Sequence, residues 1–335
     1  MFVFYLENGF RMTSLKNIQA PIEKEIKEFE LYFKKTLHSE MSILDTVLKF
    51  LYRTKGKQIR PTLVFLSAKM INETNEFSQM AACSIELLHT AALIHDDVVD
   101  ESNERHGTLS VKALWKNKIA VLAGDYVLTK MLLLQLENKK YNFLHLISKT
   151  AKDMSEGEAL QLEKSHKLDI DYETYFEIII RKTASLIATS MAIGAASTTD
   201  NEAIHEKMYQ IGQNAGIAFQ IKDDIFDYQT NGSIGKPTGN DIKEKKITLP
   251  LLYVLNNSSS AEKKRILNLI KRNNNNQAVI EELISLVNEK GGIAYATQKM
   301  EEFRDKAISG LMEFEENEAR NSLIELIKYI TTRKN

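Results

Sequence analysis

The same unusual spacing of aspartates occurs twice in this sequence. In the stretch LIHDDVVDESNERHG, an apolar run ends in Asp96, Asp97 and Asp100. The stretch FQIKDDIFDY repeats the D-D-x-x-D spacing at Asp223, Asp224 and Asp227. On a helix, positions i, i+1 and i+4 lie within about 100° of arc, so each motif places three carboxylates on one side.

Each group of three carboxylates needs a positive partner. Neighbouring anions repel one another, and the negative end of the helix macrodipole adds to that repulsion at a helix C-terminus. Carboxylate oxygens with open positions suit Mg²⁺, which keeps some of its waters and bridges to substrate phosphates. The two motifs therefore predict the two sides of a cleft that holds one diphosphate through metal ions.

Two other interpretations of the aspartates stay open on these grounds. A single motif of this kind is as compatible with a solvated helix end as with a metal site, although two copies after apolar runs favour chemistry. Alternatively, His95 and Asp96 belong to a metal-dependent phosphohydrolase with an H…HD…D ligand set. That interpretation needs well-separated histidines on several helices, and it leaves the second motif unexplained.

Basic residues near the motifs predict binding of phosphate. The stretch GKQIRP supplies Lys57 and Arg60, with Pro61 expected at the first helical position, where free backbone N–H groups bind anions. It is not a Walker loop, because G-x-x-x-x-G-K-[ST] is not matched here or at GSIGKPTG. His89 lies two helical turns before Asp96, and a lone histidine of this kind is more often structural.

Further basic residues follow the same logic. Lys182 and Thr183 interrupt an apolar stretch, IIIRKTASL, where a charge needs a partner or a route to solvent. Lys236 in GKPTG and Lys246 in EKKITLP lie in or just beyond the polar stretch after the second motif. Each alone is an ordinary surface lysine, but their positions beside the motifs favour a role in binding phosphate.

Composition narrows the class of protein. The 335 residues are 43% hydrophobic, and no Pro/Gly/Ser-rich linker divides them, so we expect one large domain. A net charge of −1 without a basic face argues against nucleic acid as a partner. The one cysteine, Cys83, excludes an internal disulfide framework and predicts a reducing, cytoplasmic location.

The N-terminus and the apolar stretches predict neither secretion nor membrane insertion. The first residues, MFVFYLENGFRM, are apolar but short and lack a basic start. Residues 1–12 are interpreted as an N-terminal extension, with Met12 a possible start, and 13–335 as the domain. No apolar run reaches about 18 residues without a charge, so no integral membrane segment is expected.

Helical periodicity extends along nearly the whole chain. Only 4 prolines occur, apolar residues recur at helical spacing, and strand-like alternation is absent. The polar stretches 101–109 and 229–241, each after an aspartate motif, are expected to be loops. We predict helices at 15–37, 41–53, 61–71, 76–100, 110–136, 140–164, 172–196, 201–228, 242–256, 260–271, 276–289 and 293–332.

Together these stretches resemble the trans-isoprenyl diphosphate synthases, or polyprenyl synthetases, of the long-chain type. The similar stretches follow the family's order: GKQIRP, ELLHTAALIHDDVVDES, RHG, GDYVL, RKTASL, FQIKDDIFDY and GKPTGNDIKEKKITLP. The resemblance implies an all-α fold, a single large helical bundle of the isoprenoid synthase type around a central cleft. It also implies a homodimer.

The resemblance implies a reaction and a role for each candidate residue. C4 of isopentenyl diphosphate attacks C1 of an allylic diphosphate, which lengthens the chain by one isoprene unit, with Mg²⁺, about three ions per site, as cofactor. The implied metal ligands are Asp96, Asp100 and Asp223, supported by Asp97, Asp224 and Asp227. The implied allylic diphosphate site comprises Arg105, Lys182, Thr183, Gln220, Lys236 and Lys246. The implied isopentenyl diphosphate site comprises Lys57, Arg60, His89 and His106.

The sequence departs from the family at one of these positions. The family usually has Arg-Arg-Gly after the first motif, where this chain has Arg105-His106-Gly107. A histidine carries full charge only when protonated, which predicts weaker or pH-dependent binding of isopentenyl diphosphate.

Small residues near the first motif predict the product length. Ala91 and Ala92 lie about one helical turn before Asp96, where short-chain members of the family have an aromatic ring. Two alanines leave the path of the growing chain open and predict roughly six to eight isoprene units, suited to a quinone side chain. The alternative is that the alanines only permit close helix packing.

The runner-up function is a non-catalytic partner subunit of a heteromeric synthase. Such subunits are expected to lack the aspartate motifs, and both motifs are intact here.

Overall fold

Apolar residues at helical spacing fold into helices along the described chain. The structure is a computed structural model that describes residues 14–54, 56–105, 107–229 and 239–332, with Arg105 described by its backbone alone. The predicted all-α class is confirmed. Within these ranges the only strands are two residues long each and form one antiparallel ribbon.

The helices and strands have the following bounds. The first part of the chain contains α1 (Leu15–Ile18), a 3-10 turn (Ala20–Ile22), α2 (Glu23–Thr36), α3 (Ser42–Arg53), α4 (Ile59–Ile71), α5 (Glu76–Val99), β1 (Glu104–Arg105) and β2 (Thr108–Leu109). The middle contains α6 (Val111–Glu137), α7 (Tyr141–Lys167), α8 (Tyr172–Ile179), a π-helical turn (Ile180–Ala184), α9 (Ser185–Ala196) and α10 (Glu202–Asp227). The last part contains α11 (Asn240–Lys243), α12 (Leu249–Asn256), α13 (Ser260–Asn273), α14 (Gln277–Glu289), α15 (Gly292–Met312) and α16 (Glu318–Thr332).

Two helices lie inside the bundle and organise it. Most residues of α4 and nearly all of α9 are buried, as expected for helices that are apolar on all sides. α9 packs between α4 and α10, and Gly194 permits the contact because a Cβ there would lie 2.4 Å from the carbonyl oxygen of Val64. α10 and α15 contribute buried residues to both hydrophobic clusters of the interior.

Local signals fix where the motif-bearing helices begin and end. The side chain of Asn75 accepts hydrogen bonds from the backbone N–H groups of Phe77 and Ser78 at 2.8 and 3.2 Å, which caps the start of α5. α5 then runs to Val99 and places the first aspartate motif at its C-terminal end. Asn201 caps α10 in the same way, and the second motif ends that helix.

Several predicted helix boundaries are wrong, in most cases because a proline or a cap was overlooked. The predicted helix 15–37 is divided at the turn that contains Pro21, and 242–256 is divided because Pro250 lies in the first turn of α12. The predicted helix 293–332 ends at Met312 and restarts at Glu318. α4 begins at Ile59, so Pro61 occupies its third position and not its first.

Two further corrections concern local backbone geometry. The stretch 101–109, predicted as a loop, contains the ribbon of β1 and β2. The predicted helix 110–136 is interrupted at Lys116, whose φ of 68° lies in the left-handed region.

Three described helical segments have the length and apolar composition of a membrane span. They are α5, α6 and the continuous segment from Tyr172 to Ala196. In the first and third, 67% and 78% of the apolar window is buried inside the fold, which accounts for its composition. Only 33% is buried in α6, so this helix presents apolar residues to its surroundings.

Candidate active site

The first aspartate motif forms the C-terminal end of α5. Asp97 is 4% exposed, Asp96 is half-buried, and Asp100 is exposed at the helix end. The N–H of Asp100 donates to the carbonyl of Asp96 at 2.8 Å, and the N–H of Ser102 donates to that of Asp97 at 3.0 Å. The chain then turns into the β ribbon, so the three carboxylates lie where α5 ends, and they range from buried to exposed.

The second motif ends α10, and its carboxylates are held by neighbouring elements. Asp224 accepts hydrogen bonds from the hydroxyl of Tyr175 at 2.6 Å and the side-chain amide of Gln220 at 2.9 Å. Asp227 accepts the backbone N–H groups of Asn240 and Asp241, each at 2.9 Å. Asp227 therefore caps the start of α11, and Asp224 joins α8 to α10.

Negative charge is concentrated and poorly solvated around the second motif. Burial raises the pKa of Asp224 to about 6, against the opposing effect of the hydrogen bonds from Tyr175 and Gln220. Burial also raises the pKa of Asp227, and burial with the charges of Asp224 and Asp227 raises the pKa of Asp241 well above its usual range. A cation near these carboxylates would favour their ionised forms.

Electrostatic interactions connect the two motifs across one cleft. Burial favours a lower pKa for Lys246, but Glu244 outweighs it, with further contributions from Asp100 and Asp241, so the pKa is raised. Asp100 belongs to the first motif, and Asp241 lies beside the second. Likewise burial lowers the pKa of Arg60, and the charges of Glu86 and Asp223 oppose that shift. The two motifs therefore face a shared space.

The larger of two cavities beside the motifs contains the predicted isopentenyl diphosphate residues that the structure describes. Its volume is about 780 Å³, and its lining includes Lys57, Arg60, His89 and Asp97. Nη1 of Arg60 lies 2.9 Å from Nε2 of His89, so the two side chains form one polar group. The rest of the wall is largely apolar and includes Phe33, Leu37, Phe50, Leu51, Ile187 and Phe219.

The smaller cavity contains the predicted allylic diphosphate residues that the structure describes. Its volume is about 130 Å³, and its lining includes Lys182, Thr183, Gln220, Asp224 and Lys246. The hydroxyl of Thr183 donates to Oε1 of Gln220 at 2.7 Å, and Gln220 donates in turn to Asp224. A hydrogen-bonded chain therefore runs from the basic side of this cavity to the second motif.

Lys182 and Thr183 lie on the π-helical turn that joins α8 to α9. A π turn inside a longer helix redirects side chains, and such turns are frequent at functional sites. Here the turn explains how a lysine and a threonine inside an otherwise apolar helix reach a polar cavity.

The structure brings together most, but not all, of the predicted site residues. Ala91 is 2% exposed within the core and Ala92 is half-buried, and neither lines either of the two cavities. His106, Lys236 and the side chain of Arg105 lie outside the described residues. Four residues not predicted from the sequence also contact this region: Glu86, Glu158, Tyr175 and Asp241.

Comparison with known sequences places this architecture in a family. The sequence model of the polyprenyl synthetase family matches residues 41–287. The chain is 31% identical over 314 residues to heptaprenyl diphosphate synthase component 2 of Bacillus subtilis (strain 168), covering 93% of this chain and 89% of that protein. It is also 31% identical over 320 residues to the all-trans-nonaprenyl-diphosphate synthase (geranyl-diphosphate specific) of Rhodobacter capsulatus, covering 95% and 98%.

Solved structures show the same fold. A polyprenyl synthase from Caulobacter crescentus CB15, complexed with calcium and isoprenyl diphosphate, superposes with a TM-score of 0.90 at 30% identity, covering 98% of this chain and 100% of that one. A decaprenyl diphosphate synthase from Rhodobacter capsulatus superposes with a TM-score of 0.89 at 27% identity, covering 94% and 98%. The predicted isoprenoid synthase type of fold is therefore confirmed.

Proposed function

The chain belongs to the polyprenyl synthetase family, and we propose that it condenses isopentenyl diphosphate with allylic diphosphates to make a long-chain all-trans polyprenyl diphosphate. It is a transferase of prenyl groups, in keeping with the family and the relatives that match nearly its whole length. The bound isoprenyl diphosphate named for the Caulobacter protein supports the class of substrate.

One observation in the site carries this proposal. Two separate sets of phosphate-binding side chains line two cavities, and each cavity includes a carboxylate from one aspartate motif, Asp97 or Asp224. Two diphosphates that must react head to tail require such a pair of sites on either side of a shared space. We assign the larger cavity to isopentenyl diphosphate and the smaller to the diphosphate of the allylic substrate.

The carboxylates fit a divalent cation of the Mg²⁺ type. Among the described residues, no three His, Cys, Asp or Glu side chains form a metal site on their own. The proposed fit rests on the carboxylate oxygens themselves, because Mg²⁺ is held by one or two carboxylates together with waters and substrate phosphates. We propose Asp96, Asp100 and Asp223 as the direct ligands, with about three ions per site. When bound, these ions would neutralise charge on the allylic diphosphate.

Asp97, Asp224 and Asp227 are proposed to support the ligands. Both oxygens of Asp224 and of Asp227 already accept hydrogen bonds, which fixes their carboxylates. A carboxylate has about four lone-pair sites, so contact with a metal is still possible.

Side chains of this chain stabilise the departure of diphosphate. Lys182 and Lys246 line the smaller cavity and would bind the leaving group, together with Arg105 and Lys236 as the resemblance implies. Cations fixed before the reaction stabilise developing negative charge without reorganising at that moment. The apolar wall of the larger cavity limits water near the allylic cation, and the released diphosphate accepts the proton lost from isopentenyl diphosphate.

The long-chain product, the homodimer and the cytoplasmic location are further parts of the proposal. Relatives named as heptaprenyl and nonaprenyl synthases support a long product. A second copy of the chain would cover the apolar face of α6, where Val121, Leu122, Leu133 and Leu136 are each at least 40% exposed. The cytoplasmic location rests on the sequence alone.

Purified protein incubated alone with both substrates and Mg²⁺ tests the proposal. We expect chain extension, read as product length by chromatography after removal of phosphate. The Bacillus relative is named "component 2", so the main alternative is an enzyme that requires a second, different chain. Absence of product from the isolated chain, with activity restored by another protein, would replace the homomeric enzyme by a subunit of a heteromeric one.

A further inference from the structure

Two adjacent basic residues on the π turn point to different surroundings. Arg181 forms ion pairs with Glu156 and Glu177, and these acidic partners are 45% and 46% exposed. Lys182 forms an ion pair with Glu158 instead and lines the smaller cavity. Of the two basic residues, Lys182 is therefore the one that lines the site.

The backbone of α7 approaches this turn at one residue. A Cβ added to Gly157 would lie 2.7 Å from the backbone nitrogen of Lys182 and 2.8 Å from Cβ of Arg181. Since real Cβ atoms do not come so close, only glycine allows this contact. Glu156 and Glu158 flank Gly157, and each pairs with one of the two basic residues.

The inner ion pair is largely removed from water. The side chains of Lys182 and Glu158 are 26% and 14% exposed. Nζ of Lys182 contacts Oε2 of Glu158, and the side-chain amide of Gln161 donates to Oε1 at 3.4 Å, so Lys182 supplies the positive charge that balances this carboxylate. A side chain with so little contact with water stays ionised when an opposite charge lies beside it. The ion pair also restricts the rotamers of the long lysine side chain.

We propose that Glu158 is a positioning residue that directs the ammonium of Lys182 towards the allylic diphosphate before this substrate binds. The inference rests on the proposed function of the smaller cavity. Because Glu158 orders the lysine in advance, the diphosphate meets a fixed cation and does not have to immobilise a mobile one. Glu158 acts through Lys182 and touches no reacting atom.

The test is a double-mutant cycle on substrate affinity. The fifteen-carbon allylic diphosphate is titrated with Mg²⁺, without isopentenyl diphosphate, into wild type, Glu158→Gln, Lys182→Met and the double variant. We expect Glu158→Gln to raise the Kd about tenfold, within the range for neighbouring coupled residues. In the Lys182→Met background the same change should have no further effect, because the residue it positions is gone.

Two variants separate positioning from a general structural role. Glu156→Gln removes the outer pair on the other side of Gly157 and is expected to leave Kd unchanged. Glu158→Asp keeps the charge and is expected to recover most of the lost affinity. The Kd for isopentenyl diphosphate is measured in the same variants. A general loss of stability would weaken the binding of both substrates, whereas a loss of positioning would weaken only the binding of the allylic diphosphate.

Equal Kd values for wild type and Glu158→Gln would overturn the inference, as would a tenfold loss that persists in the Lys182→Met background. Condensation by the wild type is assayed separately. If the wild type binds both substrates but does not condense them, the proposed function is contradicted. The Kd values of the double-mutant cycle then still decide whether Glu158 positions Lys182. A wild type that condenses, with normal binding by Glu158→Gln, contradicts the inference alone.

Discussion

The hydroxyl of Tyr175 donates a 2.6 Å hydrogen bond to Oδ2 of Asp224, and both residues are at most 3% exposed. This contact joins α8 to the second aspartate motif at the end of α10. Burial, together with the charge of Asp224, raises the pKa of Tyr175 well above its usual range, so the phenol remains a donor. A motif that the sequence presents as a metal site is thus also part of the packing between helices.

Tyr175→Phe is therefore expected to destabilise the protein. The change leaves Oδ2 of Asp224 buried without its donor, which costs about 1–3 kcal/mol in the free energy of unfolding. Urea unfolding measures the loss. The control is Tyr141→Phe, since Tyr141 is 63% exposed, and it should leave the midpoint unchanged. Equal midpoints for both variants would show that the contact contributes nothing.

Removal of a proposed metal ligand should abolish turnover and not folding. Asp96→Ala or Asp223→Ala is expected to lower kcat by about 10²–10³ or more, because a group that stabilises charge in the transition state is lost. Steady-state assays and circular dichroism measure the two effects, with Asp305→Ala as an exposed control. Near-normal activity in either variant, or activity that EDTA does not reduce, is incompatible with a metal site here.

Product length should respond to the residue one turn before Asp96. Ala92 is half-buried, so Ala92→Phe is expected to shift products towards fifteen or twenty carbons while turnover continues. Ala91 lies in the core, and Ala91→Phe should in addition destabilise the fold by about 1–3 kcal/mol through overpacking. Chromatography of the products measures the chain length made by each variant. If the wild type already stops at fifteen carbons with excess isopentenyl diphosphate, the open path does not exist.

His106 lies outside the described residues, and its prediction comes from the sequence. If its protonated form binds diphosphate, the KM for isopentenyl diphosphate should rise between about pH 6 and 8 as the positive charge is lost. His106→Arg keeps that charge and should flatten the rise and lower KM. If KM depends on pH in the same way in both proteins, His106 does not bind the diphosphate.

The apolar face of α6 should control assembly. Val121, Leu122, Leu133 and Leu136 fall within about 120° of arc at 100° per residue, so they form one stripe. Leu122→Glu places a charge in this stripe and is expected to convert a dimer into monomers in analytical ultracentrifugation. Leu31→Glu, at a 72% exposed position on α2, is the matched control. A wild type that sediments as a monomer would exclude the homodimer.

The sequence predicted the parts of the site that depend on spacing within one helix. Both aspartate motifs lie at helix ends, as the predicted helices 76–100 and 201–228 implied, and Lys182 and Thr183 stood out as polar residues in an apolar stretch. These predictions needed only the geometry of a single helix. Lys57, Arg60 and His89 line one cavity together, but they lie on different elements, and only the resemblance to the family grouped them.

Residues whose importance depends on contacts between helices could not be found in this way. Glu158 is one of 45 acidic residues, and nothing in its local sequence distinguishes it from a solvated glutamate. Tyr175 likewise looks like an ordinary apolar-face residue of α8. The missed break after Met312 did carry a signal, because Asn317 caps α16 by accepting the N–H of Arg320 at 2.8 Å.

The π turn between α8 and α9 has a consequence for insertions and deletions. A π turn adds about one residue to a helical turn, so the residues after it are rotated by roughly 100° relative to an uninterrupted α-helix. Deleting a single residue within Ile180–Ala184 would restore regular winding, and because the turn then needs one residue fewer, α9 would keep its orientation. A deletion within the regular winding of α9 itself would instead rotate every following position by about 100°. Since α9 is buried between α4 and α10, no face of it tolerates such a rotation. A change in length by one residue is therefore better tolerated at the π turn than within α9, and its effect at the turn falls on the directions of Lys182 and Thr183.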